Sequence, residues 1–178
     1  IAHKLYALNP NANIIMSPAD HLIFDDRKFE RDIIDALDFV SKNDKLVTMG
    51  IKPTRPDDGY GYIHYDTTKN IERLYQVKTF TEKPSHELAE TFIRSGDFLW
   101  NAGIFIWNVK SILSSLETNL TEVYEAFAEA EKDMLTPNEN KSVEDAFITS
   151  PSISIDYGVM EKAKNVYIVP SSFGWSDL

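Results

Sequence analysis

The chain has 178 residues, 43% of them apolar, and carries 28 acidic against 18 basic side chains for a net charge of −10. That length and composition fit a globular domain with a real core, and the acidic balance excludes a nucleic-acid scaffold, which needs a basic footprint on the phosphate backbone. Cysteine is absent, which excludes disulfides, thiolate metal sites and thiol redox chemistry and is compatible with the cytoplasm, the expected compartment; no apolar run approaches the roughly 18 residues that span a bilayer.

Ile1 to Leu8 reads as the end of a helix, with Leu5 and Leu8 on one face and Asn9-Pro10 stopping it, and it lacks the basic start and small-residue cleavage site of a signal peptide. Together with an end at Trp175-Ser176-Asp177-Leu178, where a strand-end loop should continue, this predicts an internal fragment of a longer protein. Asn13 to Ser17 is a predicted strand. Asp25 or Asp26 is placed to cap a helix whose apolar positions Phe29, Ile33, Ala36, Leu37 and Val40 recur at spacings of three and four. Lys45 to Ile51 is a second buried strand, giving a βαβ unit with a parallel crossover, the material of a doubly wound α/β fold.

Lys52 to Gly59 is a loop rich in Pro and Asp, and Tyr60 to Tyr65 is extended and aromatic. Two strands are predicted at Ile71 to Tyr75 and Val77 to Thr81. A helix follows, capped by Ser85, facing inward through Leu88, Ala89, Phe92 and Ile93, and ended by Gly96. Phe98 to Trp107 is a long apolar strand interrupted at Asn101 and Gly103. The spacing of Ile112, Leu116, Leu120, Val123, Tyr124 and Phe127 predicts one helix from Val109 to about Met134, broken by Thr136-Pro137-Asn138. A short helix near Val143 to Ile148, another capped by Asp156, and a strand at Val166 to Val169 complete the pattern. No internal repeat or domain boundary interrupts it.

Two carboxylates stand where apolar stretches stop: Asp20, after Ile14-Ile15-Met16-Ser17-Pro18-Ala19, and Asp177, after Val166-Tyr167-Ile168-Val169 and the following loop. In an open α/β sheet, ligands bind beyond the carboxyl ends of the strands, and Mg²⁺ takes one or two carboxylates together with its substrate's phosphates. Taken singly, each Asp reads first as a cap for the turn or helix that follows. Phe80-Thr81-Glu82-Lys83-Pro84 ends a strand with a point charge suited to phosphate and a carboxylate able to accept from hydroxyls, or else is a surface turn with an incidental ion pair.

Read in order, Pro18-Ala19-Asp20-His21, Lys52-Pro53-Thr54-Arg55-Pro56, Gly59-Tyr60-Gly61-Tyr62-Ile63, Phe80-Thr81-Glu82-Lys83-Pro84, Trp100-Asn101-Ala102-Gly103-Ile104-Phe105, Ser154-Ile155-Asp156-Tyr157-Gly158-Val159-Met160-Glu161 and Gly174-Trp175-Ser176-Asp177 resemble the motif series of the mannose-1-phosphate guanylyltransferases, within the sugar-nucleotide pyrophosphorylases. The resemblance runs through essentially the whole chain. It implies a nucleotide-diphosphosugar transferase fold, Rossmann-like, with a mixed and mostly parallel sheet flanked by helices and its N-terminal part missing. Residues 1–178 would then be the central and C-terminal part of a single catalytic domain.

The resemblance also implies roles: Asp20 and Asp177 as the two Mg²⁺ ligands, Lys83 meeting the sugar phosphate, Glu82 holding sugar hydroxyls, Gly61 with its backbone against the sugar, and Asn101 as a sugar-side amide. The implied reaction joins GTP and mannose 1-phosphate into GDP-mannose and pyrophosphate. Asp58 stands where the family usually has Thr, Ala102 where Ser is common, and Gly158 where Ala is common. His21 and His64 are expected to be structural, since an oxygen-type cation does not call for them.

The family's glycine-rich phosphate loop has no counterpart between Ile1 and Leu178, so this chain by itself is expected to be inactive, with an uncovered sheet edge that invites association, including a homo-oligomer. Two other readings stay open: a pyrophosphorylase for another sugar 1-phosphate, and a non-catalytic module that binds sugar phosphate or regulates a partner. A dinucleotide oxidoreductase is disfavoured, because no strand leads through the glycine fingerprint into a helix.

Overall fold

In the computed structural model, which describes residues 1–177, some helices pack on a mixed β-sheet and others pack on one another. The elements run α1 (Ala2–Leu8), β1 (Asn13–Met16), β2 (His21–Ile23), α2 (Asp26–Lys42), β3 (Leu46–Ile51), β4 (Tyr62–Ile71), β5 (Leu74–Thr81), α3 (His86–Ser95), β6 (Phe98–Asn108), α4 (Val109–Asn119), α5 (Thr121–Glu131), α6 (Glu139–Thr149), a π-helical turn (Asp156–Met160), β7 (Val166–Ser171) and β8 (Trp175–Asp177). No described helix is long and apolar enough to cross a membrane.

Six strands form one mixed sheet in the order β1-β6-β3-β7-β5-β4, and a further pairing of β4 with β6 closes part of it into a ring. Strands β1, β3, β4 and β7 share a direction, opposed by β5 and β6, so β3 and β7 are the single parallel neighbours among the described residues, and the sheet is mixed as expected but mostly antiparallel rather than mostly parallel. The expected parallel crossover from β1 through α2 to β3 is therefore present in direction, but β6 lies between the two strands. The reason is in the composition of β6: Ala102, Ile104, Phe105, Ile106 and Trp107 are all buried, and a strand apolar on both sides belongs in the middle of a sheet.

Successive side chains of the central strands point to opposite faces, which produces two cores. Leu46, Phe105, Trp107, Val166 and Ile168 pack with Val109, Ile112 and Met160 on one face. Val47, Met49, Ile104, Ile106 and Val169 pack with Ala36, Phe39 and Val40 of α2 on the other. Helix α2 starts at Asp25, whose carboxylate accepts the Lys28 N–H at 3.1 Å, and α3 runs from Ser85 to Gly96, which takes the left-handed conformation at φ 79°. Leu8, expected to share an inward face with Leu5, is instead exposed.

Four further expectations are corrected. The strand predicted at Ile71 to Tyr75 is a hairpin turn: Ile71 pairs with Leu74 across Glu72-Arg73, and Glu72 takes φ 57°. The turn is fixed by tertiary contacts, since the Arg73 guanidinium reaches Asp32 (3.0 Å) and Asp35 (2.7 Å) on α2. The helix predicted from Val109 to Met134 is two helices broken at Leu120, which leaves helical geometry at φ −137°, ψ 52°. The helix predicted near Val143 begins earlier, at Glu139. Asp156 caps nothing; it opens the π turn, and its side chain is engaged elsewhere. Strands β2 and β8, three residues each, form a separate antiparallel ribbon that the sequence pattern did not reveal.

Candidate active site

The cleft opens where one edge of β6 changes partner, from β4 at Phe98–Trp100 to β1 at Phe105–Asn108. On its other edge the register slips: Thr48 lies opposite Phe105, but Gly50 lies opposite Asn101, so the stretch between them bulges. Gly103 supplies the positive φ of 68° that this bulge needs.

Asn101 holds the bulge together. Its N–H donates to the Gly61 carbonyl at 2.8 Å. Its side-chain oxygen accepts from Thr48 Oγ1 (3.0 Å) and the Gly103 N–H (3.1 Å), which leaves Nδ2 to donate to Asp156 Oδ1 at 3.0 Å. Its carbonyl is taken twice and one of its two Nδ2 hydrogens goes to Asp156, so the side chain pins the bulge and aims Asp156 at the same time.

Glu82 and Lys83 leave the end of β5 at a turn. Lys83 takes φ 46° directly before Pro84, an unfavourable backbone for a residue with a β-carbon and more so before proline. Its Nζ stands 3.3 Å from Glu82 Oε1. The other Glu82 oxygen is buried without a hydrogen-bond partner, and it lies against Gly61, where an added β-carbon would collide with it. Burial, and then the neighbouring Asp156 carboxylate, raise the Glu82 pKa above its ordinary value. Burial likewise raises Asp156, against the hydrogen bond from Asn101 and the attraction of Lys83. Glu161 joins this group by accepting the Glu82 N–H at 3.2 Å.

Across the cleft, the ribbon places His21 opposite Asp177 and Ile23 opposite Trp175. Ligand atoms of Asp20, His21 and Asp177 all lie within 4.8 Å of one another. His21 Nδ1 accepts the Trp175 Nε1–H at 3.1 Å, so the oxygens of Asp20 and Asp177 are the free donors, the hard set a divalent cation such as Mg²⁺ prefers. Gly61, Glu82, Lys83, Asn101, Asp156 and Asp177 thus line one cleft, with Asp20 beside Asp177.

The loop after β3 forms its wall. Tyr62 Oη donates to the Asp57 carbonyl at 3.0 Å, the Arg55 guanidinium pairs with Asp57 and lies over the Tyr60 and Trp100 rings, and Tyr60 touches Trp100 and Trp175. Asp58 is exposed and makes no side-chain hydrogen bond among the described residues. His64 stands apart, paired with Asp97 at 2.8 Å and stacked on Phe98.

Sequence pattern alone does not reveal Asp156, Tyr60 and Trp175 as parts of the cleft, or Glu161 as the residue that holds the Glu82 N–H. Asp156 and Trp175 both stand within the motif series, but Asp156 reads there as a helix cap and Trp175 reaches the cleft through the pairing of β8 with β2.

The whole chain, residues 1–178, matches the nucleotidyl transferase family. It is 36% identical over 180 residues to a mannose-1-phosphate guanylyltransferase of Salmonella montevideo, covering 98% of this chain and 38% of that protein. It is 35% identical over 166 residues to the xanthan biosynthesis protein XanB of Xanthomonas campestris, covering 93% of this chain and 35% of that protein. The chain therefore spans little more than a third of the length of these relatives. Among solved structures it superposes, with a TM-score of 0.84 and 31% identity, on a Thermus thermophilus protein described as a mannose-1-phosphate geranyltransferase, covering 98% of this chain and 49% of that one.

Proposed function

We infer, because the chain belongs to the nucleotidyl transferase family, that the full protein transfers a guanylyl group from GTP to mannose 1-phosphate, giving GDP-mannose and pyrophosphate. The observation that carries this reading is the ribbon that sets Asp20 and Asp177 together beside a cleft holding Lys83 and Glu82. The names of the relatives support mannose and the guanylyl group, and XanB supports a place in polysaccharide synthesis. On this reading residues 1–178 are the central and C-terminal part of one catalytic domain, the compartment is the nucleotide-rich cytoplasm, and the nucleotide's phosphates are cradled by residues outside these 178.

In the proposed reaction an oxygen of the sugar phosphate attacks the α-phosphorus of GTP, a new oxygen–phosphorus bond forms, and the bond to the β-phosphate oxygen breaks as pyrophosphate leaves with its electron pair. The nucleophile is already anionic, so neither a general base nor a covalent enzyme intermediate is needed. Such a transfer asks for alignment and for neutralisation of crowded negative charge. Lys83 supplies a cation at the sugar phosphate. Glu82 and Asp156 present carboxylate oxygens to sugar hydroxyls, the unpartnered buried oxygen of Glu82 being the natural acceptor, and Gly61 lets the backbone approach the ring. Asp20 and Asp177 would hold Mg²⁺, which when bound neutralises phosphate charge and brings the two substrates together.

The test is pyrophosphate release by the full protein from GTP and mannose 1-phosphate with Mg²⁺, beside Asp177→Asn and with glucose 1-phosphate as a competing substrate. Release with mannose 1-phosphate that falls by about 10²-fold or more in the variant is the expected result, the scale of losing a main electrostatic stabiliser. Preference for glucose 1-phosphate would reassign the sugar, and no release with any pair would favour the binding module.

A further inference from the structure

The hydrogen bond between Trp175 and His21 has only one possible sense. Indole Nε1–H is a donor and never an acceptor, so His21 Nδ1 must accept, and in the neutral imidazole the hydrogen then sits on Nε2. Packing holds the plane of the ring, which meets the Trp175 indole edge to face with centroids 5.1 Å apart and planes at 88° while Tyr60 packs on the same indole at 5.2 Å, and the indole N–H selects the orientation that presents Nδ1 to it. Its Cε1 side faces Gly103, 3.8 Å from where a β-carbon would stand. Nε2–H makes no hydrogen bond to any described residue, yet His21 lines the cleft and sits opposite Asp177.

A phosphate entering this cleft meets an unusually acidic lining. Glu82, Asp156 and Asp177 line it, Asp20 adjoins it, and Lys83 is the cation among the described residues that line it. A neutral N–H beside the carboxylate pair supplies a donor there without needing a second fixed charge. The same N–H makes His21 a poor metal ligand, because one ring nitrogen is engaged and the other carries a proton.

We propose that His21 donates a hydrogen bond through Nε2–H to a phosphate oxygen lying beside the cation that Asp20 and Asp177 would hold, and that Trp175 is the positioning residue that fixes this tautomer by occupying Nδ1. This rests on the reading of that pair as the phosphate side of the site. The phosphate belongs either to the sugar phosphate or to the pyrophosphate part of the nucleotide, and binding experiments separate the two.

The experiment uses the full protein and the variants Trp175→Phe, His21→Leu and His21→Gln. Long-range proton–nitrogen NMR at mildly alkaline pH should show His21 as the Nε2–H tautomer, and as a mixture in Trp175→Phe, which keeps the ring packing but not the donor; a wild-type Nδ1–H tautomer overturns the proposal. Mn²⁺ affinity should change by less than about twofold in His21→Leu, whereas a loss of about tenfold or more would make His21 a metal-associated residue and overturn it. With Mn²⁺ present, calorimetry should find binding of mannose 1-phosphate or of inorganic pyrophosphate weakened about tenfold in His21→Leu and partly restored in His21→Gln, whose amide also donates. Weakening confined to one ligand identifies the source of the phosphate, and weakening of neither overturns the role. Mn²⁺ binding that survives Asp177→Asn would instead overturn the reading of the carboxylate pair, and the tautomer result stands or falls separately from it.

Discussion

Lys83 stores backbone strain at the point where the cleft needs a charge. A residue with a β-carbon at positive φ costs on the order of 1–3 kcal/mol and persists only where its surroundings over-determine it; here the following Pro84 is buried and Glu82 is held by Glu161. Because glycine takes φ 46° without penalty, Lys83→Gly should be more stable than Lys83→Ala by about 1 kcal/mol in chemical denaturation, although both lose the amine and with it pyrophosphate release. Equal stabilities would mean that the turn is unstrained. The neighbouring carboxylate makes a second prediction. Burial, followed by Asp156, raises the folded-state pKa of Glu82, so the folded protein holds that proton more tightly than the unfolded chain does. The stabilisation from this group is fully present below the ordinary Glu pKa of about 4.3 and is lost as pH rises through the raised folded value. Glu82→Gln should therefore be more stable than the wild type near neutral pH, the advantage shrinking as pH is lowered into the ordinary carboxylate range, while activity falls. A variant less stable at neutral pH would show that the contact with Lys83 outweighs the burial.

The break between α4 and α5 and the π turn are one packing solution. Leu120 leaves the helix with its side chain over Gly158, where a β-carbon would overlap it, so the glycine that stands where alanine is common gives Leu120 its place. Gly158→Ala should cost about 1–3 kcal/mol of stability by overpacking, read from the midpoint of thermal or urea unfolding; no loss would mean that the chain near Leu120 yields freely. This contact also marks what the sequence could reveal. Asp25, Ser85 and Gly96 act within a turn of their own helices, and α2 and α3 were readable from them. The apolar face from Ile112 to Phe127 is continuous in sequence, and only a glycine nearly forty residues away shows why the helix breaks within it. The hairpin at Glu72-Arg73 carries no Asn-Gly signal; Arg73 is held by Asp32 and Asp35 from another element. In the cleft, Asp20 and Asp177 stood out because they close apolar runs, whereas the ribbon joining them has strands too short to carry a period. Asp156 is tied to the cleft by the Asn101 amide aimed at it, a contact between distant segments that no local pattern carries.

On the scale of the whole molecule, stability and chemistry occupy different layers. Strand β3 lies between β6 and β7 with Leu46, Val47 and Met49 fully buried, and its amides should open only with global unfolding. The ribbon of β2 and β8 is held internally by three residue pairs, the Phe24 and Asp25 N–H groups donating to the Gly174 and Phe173 carbonyls and the Trp175–His21 hydrogen bond, and is tied to the sheet mainly by the packing of Ile23 and of Trp175. A two-stranded ribbon of this length is marginal by itself, and in a chain of net charge −10 it also brings Asp20 and Asp177 into mutual repulsion. An ion held by both carboxylates would bind only the closed ribbon, because opening separates them. Hydrogen exchange in the full protein should therefore find His21–Ile23 and Trp175–Asp177 exchanging well ahead of Leu46–Met49. Adding Mg²⁺ should slow the ribbon selectively, by about 100-fold at a free concentration 100 times the dissociation constant. Asp177→Asn should abolish that slowing and leave β3 unchanged. If Mg²⁺ slowed the ribbon equally in the variant, the ion would be acting elsewhere and the carboxylate pair would lose its assignment.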